Sequence, residues 1–159
     1  MQKSEDCFKD QLASIKWNIP ANNLSDVLTF VGNIEIKEKL YSPIDLSLDG
    51  NRCSLDMKTC EKTPAANIRG FCSKLSDPTF LFSYAVARIV PHLSCPINAG
   101  NYTILYTEVD MKILTYFPLD GFVYNSVVKV ISTDPVKKTR KLAWCGKFET
   151  KIIKERVKS

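Results

Sequence analysis

Six cysteines, at positions 7, 53, 60, 72, 95 and 145, constrain this chain more than any other feature. The count is even and no Cys-x-x-Cys pair occurs, which argues against a zinc ribbon or a thioredoxin-type redox centre. His92 is the one histidine, too few imidazole ligands for a mixed metal site, so no metal or cofactor is expected. A disulfide framework is the reading that remains, and it implies maturation in an oxidising compartment. Six cysteines allow fifteen pairings and sequence alone does not choose among them. The nested spacing favours Cys7 with Cys145, Cys53 with Cys60, and Cys72 with Cys95. In a chain-entropy picture the outermost pair would contribute roughly 4 to 5 kcal/mol and the short loop roughly half that.

At 159 residues the chain is long enough to bury a core without disulfides, and it reads as a single domain over 1–159. No apolar run approaches the length of a membrane span. Export requires a leader, which Met1 and the polar Gln2 to Asp6 do not supply; Met1 is read as an added start. Sequons at Asn23 and Asn101 agree with a secreted glycoprotein, extracellular in preference to the lysosomal lumen. The formal charge is +5, with basic clusters at Lys137, Lys138, Arg140 and Lys141 and from Lys151 to Lys158. These read first as a solvated turn and a frayed end, and second as contacts for anionic lipid headgroups. No basic stripe interleaved with aromatics and no zinc, helix-turn-helix or RNP signature points to nucleic acid.

Most of the chain alternates with period two, as strands with one buried face do. Candidate strands are 27–31, 33–40, 44–48, 102–111, 122–132 and 142–153. Ile34, Ile36 and Leu40 share a face, and Glu38 breaks the parity and marks a rim or an end. Pro43 suggests that the runs at 33–40 and 44–48 form a hairpin or a sheet edge. In the last strand Leu142, Trp144, Phe148 and Ile152 should look inward. Asp120-Gly121 and Asp134-Pro135 are turn signals. Ser76-Asp77-Pro78 supplies an N-cap and a first-turn proline for a helix of about three turns from Thr79 to Val90, with a strand as the alternative. Phe8, Leu12 and Ile15 have the spacing of a short helical turn. The sum is an all-β, two-sheet antiparallel sandwich with one short helix.

Cys95-Pro96-Ile97-Asn98-Ala99-Gly100-Asn101-Tyr102, the connection at Pro118, Asp120-Gly121 and the late Cys145 resemble the ML lipid-recognition superfamily. Gly32 to Ile36 and Ser42 to Leu46 are similar to its second and third strands. Within it, the ganglioside-activator and insect CheB-like secreted branches are nearest, and Cys53-x6-Cys60 matches a small loop of the activator. The resemblance implies an Ig-like β-cup whose sheets part to admit a lipid, together with the three pairings favoured above. The chain lacks a further cysteine pair between Cys72 and Cys95 and carries the 80–90 run there. That departure favours the insect-type branch over ganglioside specificity.

No Gly-x-Ser-x-Gly elbow, His-Glu-x-x-His helix or phosphate loop is present, so an enzyme is not expected, and His92 reads as a loop residue. Aromatics crowd the second half instead. The inner-face residues expected to line a ligand cavity are Phe30, Ile36, Phe80, Phe82, Tyr84, Phe117, Tyr124, Trp144 and Phe148; Lys37, Glu38, Lys39 and Arg88 are rim candidates. A sixteen-carbon chain offers roughly 12 kcal/mol of gross burial before ordering costs, so capture needs no catalysis. The function expected is a monomeric, secreted carrier or presenter of a lipid, fatty acyl or terpenoid ligand, serving chemosensation in the insect-type case, with a membrane surface or receptor as further partner. The alternative is a secreted interaction module or receptor co-factor with a closed core.

Overall fold

The computed structural model describes residues 2–18, 27–79, 83–110 and 120–153. Two antiparallel sheets form. The larger has the order β1 (Gln2–Asp6), β10 (Arg140–Ile152), β9 (Phe122–Thr133), β4 (Ile44–Ser54), β5 (Cys60–Lys62), with β6 (Ala66–Ile68) also pairing β4. The smaller runs β2 (Ala13–Asn18), β3 (Val27–Ile36), β8 (Gly100–Asp110), β7 (Ile89–Val90). Two short helices, α1 (Phe71–Lys74) and α2 (Ser83–Ala87), lie between β6 and β7. The all-β sandwich is therefore as expected, and the disulfides pair as favoured: Cys7–Cys145, Cys53–Cys60 and Cys72–Cys95, with Cα separations of 5.3, 4.1 and 5.8 Å.

Several local expectations are corrected. The runs at 33–40 and 44–48 are not a hairpin: β3 belongs to the smaller sheet and β4 to the larger. The chain crosses between sheets at 37–43, where Leu40 bridges Ile97 and Tyr41 O accepts a hydrogen bond from Ser132 Oγ at 2.8 Å. Residues 13–18 form a strand rather than a helical turn, because they pair in register with β3, Ala13 against Ile36. Phe8 is 60% exposed, whereas Leu12 and Ile15 pack on the core. The helix expected over 79–90 is shorter where it is described. It spans Ser83–Ala87, while Ile89 and Val90 pair with Ile104 and Thr103. β-Branched side chains at those two positions favour the strand. Within the Ser76-Asp77-Pro78 signal, Asp77 Oδ1 accepts hydrogen bonds from Thr79 N and Oγ1.

Parity in the last strand is also altered. Leu142 pairs Ile131 but Trp144 pairs Val130, so Ala143 is a bulge residue that turns Leu142 outward. Leu142 is 39% exposed while Trp144 is 5% exposed. A second register shift, between Phe30 and Gly32 on β3, places an extra residue in β8. Thr107 beyond it is fully buried, although Tyr102 and Ile104 carry the inward parity before it. Its hydroxyl is satisfied by Leu105 O at 2.7 Å.

The core gathers at one end of the sandwich. Ala13, Ile36, Tyr102 and Ile104 of the smaller sheet meet Ile44, Ala143 and Trp144 of the larger, with Leu40, Leu93 and Ile97 from the connections. Gln11, itself buried, clasps this end: its amide donates to Cys145 O at 3.1 Å and its oxygen accepts from Cys145 N.

Candidate functional site: the cleft beside Trp144 and Phe148

Along the larger sheet the positions sharing the parity of Ile44 pass from buried to half-buried or, at Leu48 and Ser4, exposed. Ile44 and Ser132 are buried, whereas Gly50, Arg52, Phe122, Tyr124, Ser126, Phe148, Thr150 and Ile152 are each half-buried. Register aligns them in rows across the strands. Gly50 faces Ser126, Ser126 faces Phe148, and Phe148 faces Ser4. Three of these four side chains are small. Gly50 is required by close approach, because a Cβ there would lie 2.3 Å from Asn125 O on the neighbouring strand.

Two concavities lie here. A cleft of about 300 Å³ lies between the sheets, lined by Ser4, Glu5, Asp6, Ile15, Lys16, Trp144 and Phe148. A second, of about 970 Å³, is lined by Ser4, Gly50, Ser126 and Phe148, by the intervening Glu5, Asp49, Asn51, Asn125, Val127, Lys147 and Glu149, and by Lys62. Ser4, Glu5 and Phe148 line both, and the larger draws mostly on the intervening residues, whose parity is opposite to that of Gly50 and Ser126.

Trp144 and Phe148 stand two residues to either side of Gly146 on one strand face, and their rings meet edge to face at 6.2 Å. The indole is fixed at its polar end by donation from Nε1 to Asp6 Oδ1 at 3.0 Å. Its far edge lies over Gly146, where a Cβ would be 2.4 Å from the ring. Further along, Tyr124 and Phe122 make an edge-to-face pair at 6.4 Å, and the Arg52 guanidinium sits 4.4 Å from the Phe122 ring centroid. Arg52 is also paired with Glu61, whose hydrogen bond raises its already high pKa. Among the described residues no group of three His, Cys, Asp or Glu side chains is placed to hold a metal.

Of the expected lining residues, Trp144 and Phe148 are brought together at the cleft, and Tyr124 lies further along the same inward parity. Ile36 is buried in the core. Tyr84, on α2, is 58% exposed and lines neither concavity. Phe80, Phe82 and Phe117 lie outside the described residues, as does the side chain of Phe30. The rim candidates Lys37, Glu38 and Lys39 follow β3 at the core end, and Arg88 donates to Tyr106 O at 2.7 Å. The charged residues found in the larger concavity are Glu5, Asp49, Lys62, Lys147 and Glu149. Small residues were the missed signal, above all the Trp-x-Gly-x-Phe pattern at 144–148, whose period places glycine between two rings.

No family model and no curated protein matches the chain. Among solved structures, chicken MD-1 complexed with lipid IVa is similar, with 8% sequence identity and a TM-score of 0.38 over 96% of this chain and 99% of that one. A likeness this coarse carries no functional conclusion.

Proposed function

We propose that the protein is a secreted, non-enzymatic binding protein that encloses part of an amphiphilic ligand against the larger sheet and carries or presents it. The observation that carries this reading is the pair of concavities that both reach Ser4, Glu5 and Phe148, the larger of about 970 Å³. That volume falls in the range of small-molecule sites. Aromatic surface at Trp144 and Phe148 suits a hydrocarbon or terpenoid chain, while the charged residues of the larger concavity suit a polar headgroup. The ML resemblance of the cysteine framework and of the 95–102 stretch supports the same reading and adds chemosensory delivery as its context. On this reading residues 1–159 act as one monomeric unit outside the cell.

Native mass spectrometry of protein secreted from eukaryotic cells, followed by solvent extraction, tests it. The expected result is a stoichiometric amphiphile in the wild-type protein and its loss in Ser126→Trp, which fills the small-residue row. A folded but empty wild-type protein that also ignores a lipid panel would overturn the proposal. One observation favours a protein-interaction module instead: the Cys53–Cys60 hairpin displays Leu55 and Met57, 47% and 46% exposed. A stable protein complex in pull-downs from an empty protein would select that reading.

A further inference from the structure

The turn between β9 and β10 concentrates cationic charge around an apolar tip. Val136 is 87% exposed, and Lys137, Lys138, Arg140 and Lys141 that follow it are all exposed. The tip is rigidly built. Asp134 Oδ1 accepts hydrogen bonds from Val136 N and Lys137 N at 2.8 and 3.1 Å, Lys138 N donates to Asp134 O, and Asp134 N donates to Thr139 O. The one carboxylate in the turn accepts these backbone hydrogen bonds, and Lys137 and Lys141 are close enough to help hold its pKa down. The crossing segment lies alongside, since Thr133 N donates to Pro43 O at 3.1 Å. It adds Tyr41, which is 41% exposed and whose carbonyl accepts from Ser132 Oγ, and Lys39, whose ammonium lies 5.6 Å from the Tyr41 ring centroid.

We propose that this end of the sandwich docks on an anionic lipid bilayer, with Val136 entering the interface and the surrounding lysines and arginine meeting headgroups. A bilayer fits better than a soluble polyanion, because an exposed valine ringed by cations gains from an apolar boundary that a polyanion does not offer. Docking there leaves the cleft beside Phe148, further along the strands, free of the contact. The proposal stands whether or not the cleft takes a ligand.

Disulfide-intact protein is mixed with phosphatidylcholine vesicles, with and without phosphatidylserine, and sedimented at low and high salt. Binding is expected only to the anionic vesicles and should weaken as salt rises. Lys137→Ser with Lys138→Asn should lower the affinity about five-fold for each charge removed. Val136→Asp should weaken it further, while Lys9→Ser with Lys58→Ser, which removes the same charge elsewhere, should leave it unchanged. No preference for phosphatidylserine, an equal loss in the two double variants, or retention on a sulfated polysaccharide without vesicle binding would each overturn the assignment.

Discussion

Replacing Gly146 by alanine is the sharpest test of how the cleft is built. A Cβ at this position would lie 2.4 Å from the Cη2 and Cζ2 atoms of Trp144 and 3.3 Å from Phe148 Cε2. To regain ordinary carbon contact the indole must retreat by roughly 1 Å. It has little freedom to do so. Trp144 is 5% exposed, its Nε1 is held by Asp6, and its ring meets Phe148 in an edge-to-face contact. Overpacking of this kind costs about 1–3 kcal/mol. Were the site open, the same substitution would stabilise by roughly 0.5–1 kcal/mol, because alanine loses less backbone entropy than glycine. The sign therefore reports the contact. Urea denaturation with disulfides intact measures it, and in a Trp17→Phe background the emission of Trp144 alone reports movement of the ring. A melting shift of about 2–4 °C per kcal/mol should accompany the loss. The control is a double-mutant cycle: in Trp144→Leu the ring is gone, and Gly146→Ala should cost little or stabilise. Equal destabilisation in both backgrounds, or a Gly146→Ala protein as stable as wild type, would refute the reasoning.

Paired Cys→Ser variants should rank by the length of chain each bridge closes. The sequence separations of 138, 23 and 7 residues correspond to losses of roughly 5, 3 and 2.5 kcal/mol in the chain-entropy picture. Chemical denaturation would expose an inverted order. Gln11→Leu keeps the volume but strips the hydrogen-bond partner of Cys145 N, which should cost about 1–3 kcal/mol by the same assay; a change near zero would mean that the backbone finds another partner. Acid stability should turn on Asp134, Asp56 and Asp77. Asp134 is held below the usual carboxylate range by the backbone amides of Lys137 and Val136. Asp56 is lowered first by the Ser54 hydroxyl and then by Lys58 N, and Asp77 by the hydroxyl and amide of Thr79. A depressed folded pKa stabilises above the unfolded value and is lost as pH falls through the folded one. Asp134→Ala should therefore be less stable than wild type at neutral pH, with the gap closing below about pH 4. A gap that persists in acid would count against the turn geometry.

What could be read from the sequence was whatever depends on local alternation and on covalent spacing. The long strands β4, β8, β9 and β10 declare themselves because each carries a stretch of alternating apolar residues, which in β4 ends at Leu48 and in β8 and β10 is interrupted by a bulge. The cysteine pairs were legible through their nesting, reinforced by the family resemblance. The misreadings share a different cause. Pro43 signals a change of direction but not its destination, and only contacts distant in sequence, Leu40 with Ile97 and Ser132 with Tyr41, carry the chain from one sheet to the other. The bulge at Ala143 leaves composition untouched yet reverses the face that Leu142 presents, so a parity argument carried across it fails by one residue. Gln11 gave no signal at all, since a glutamine that satisfies a buried backbone looks like any polar loop residue until the partner strand is in place. The lining of the cleft shows the same limit from the other side. Searching for large aromatics finds the residues that fill space, whereas a concavity is made where Gly50, Ser126 and Ser4 fail to fill it. A reading of such a sheet gains more from asking which inward positions are small between two that are large than from ranking its aromatics, and Trp144-x-Gly146-x-Phe148 is where that question would have found the site.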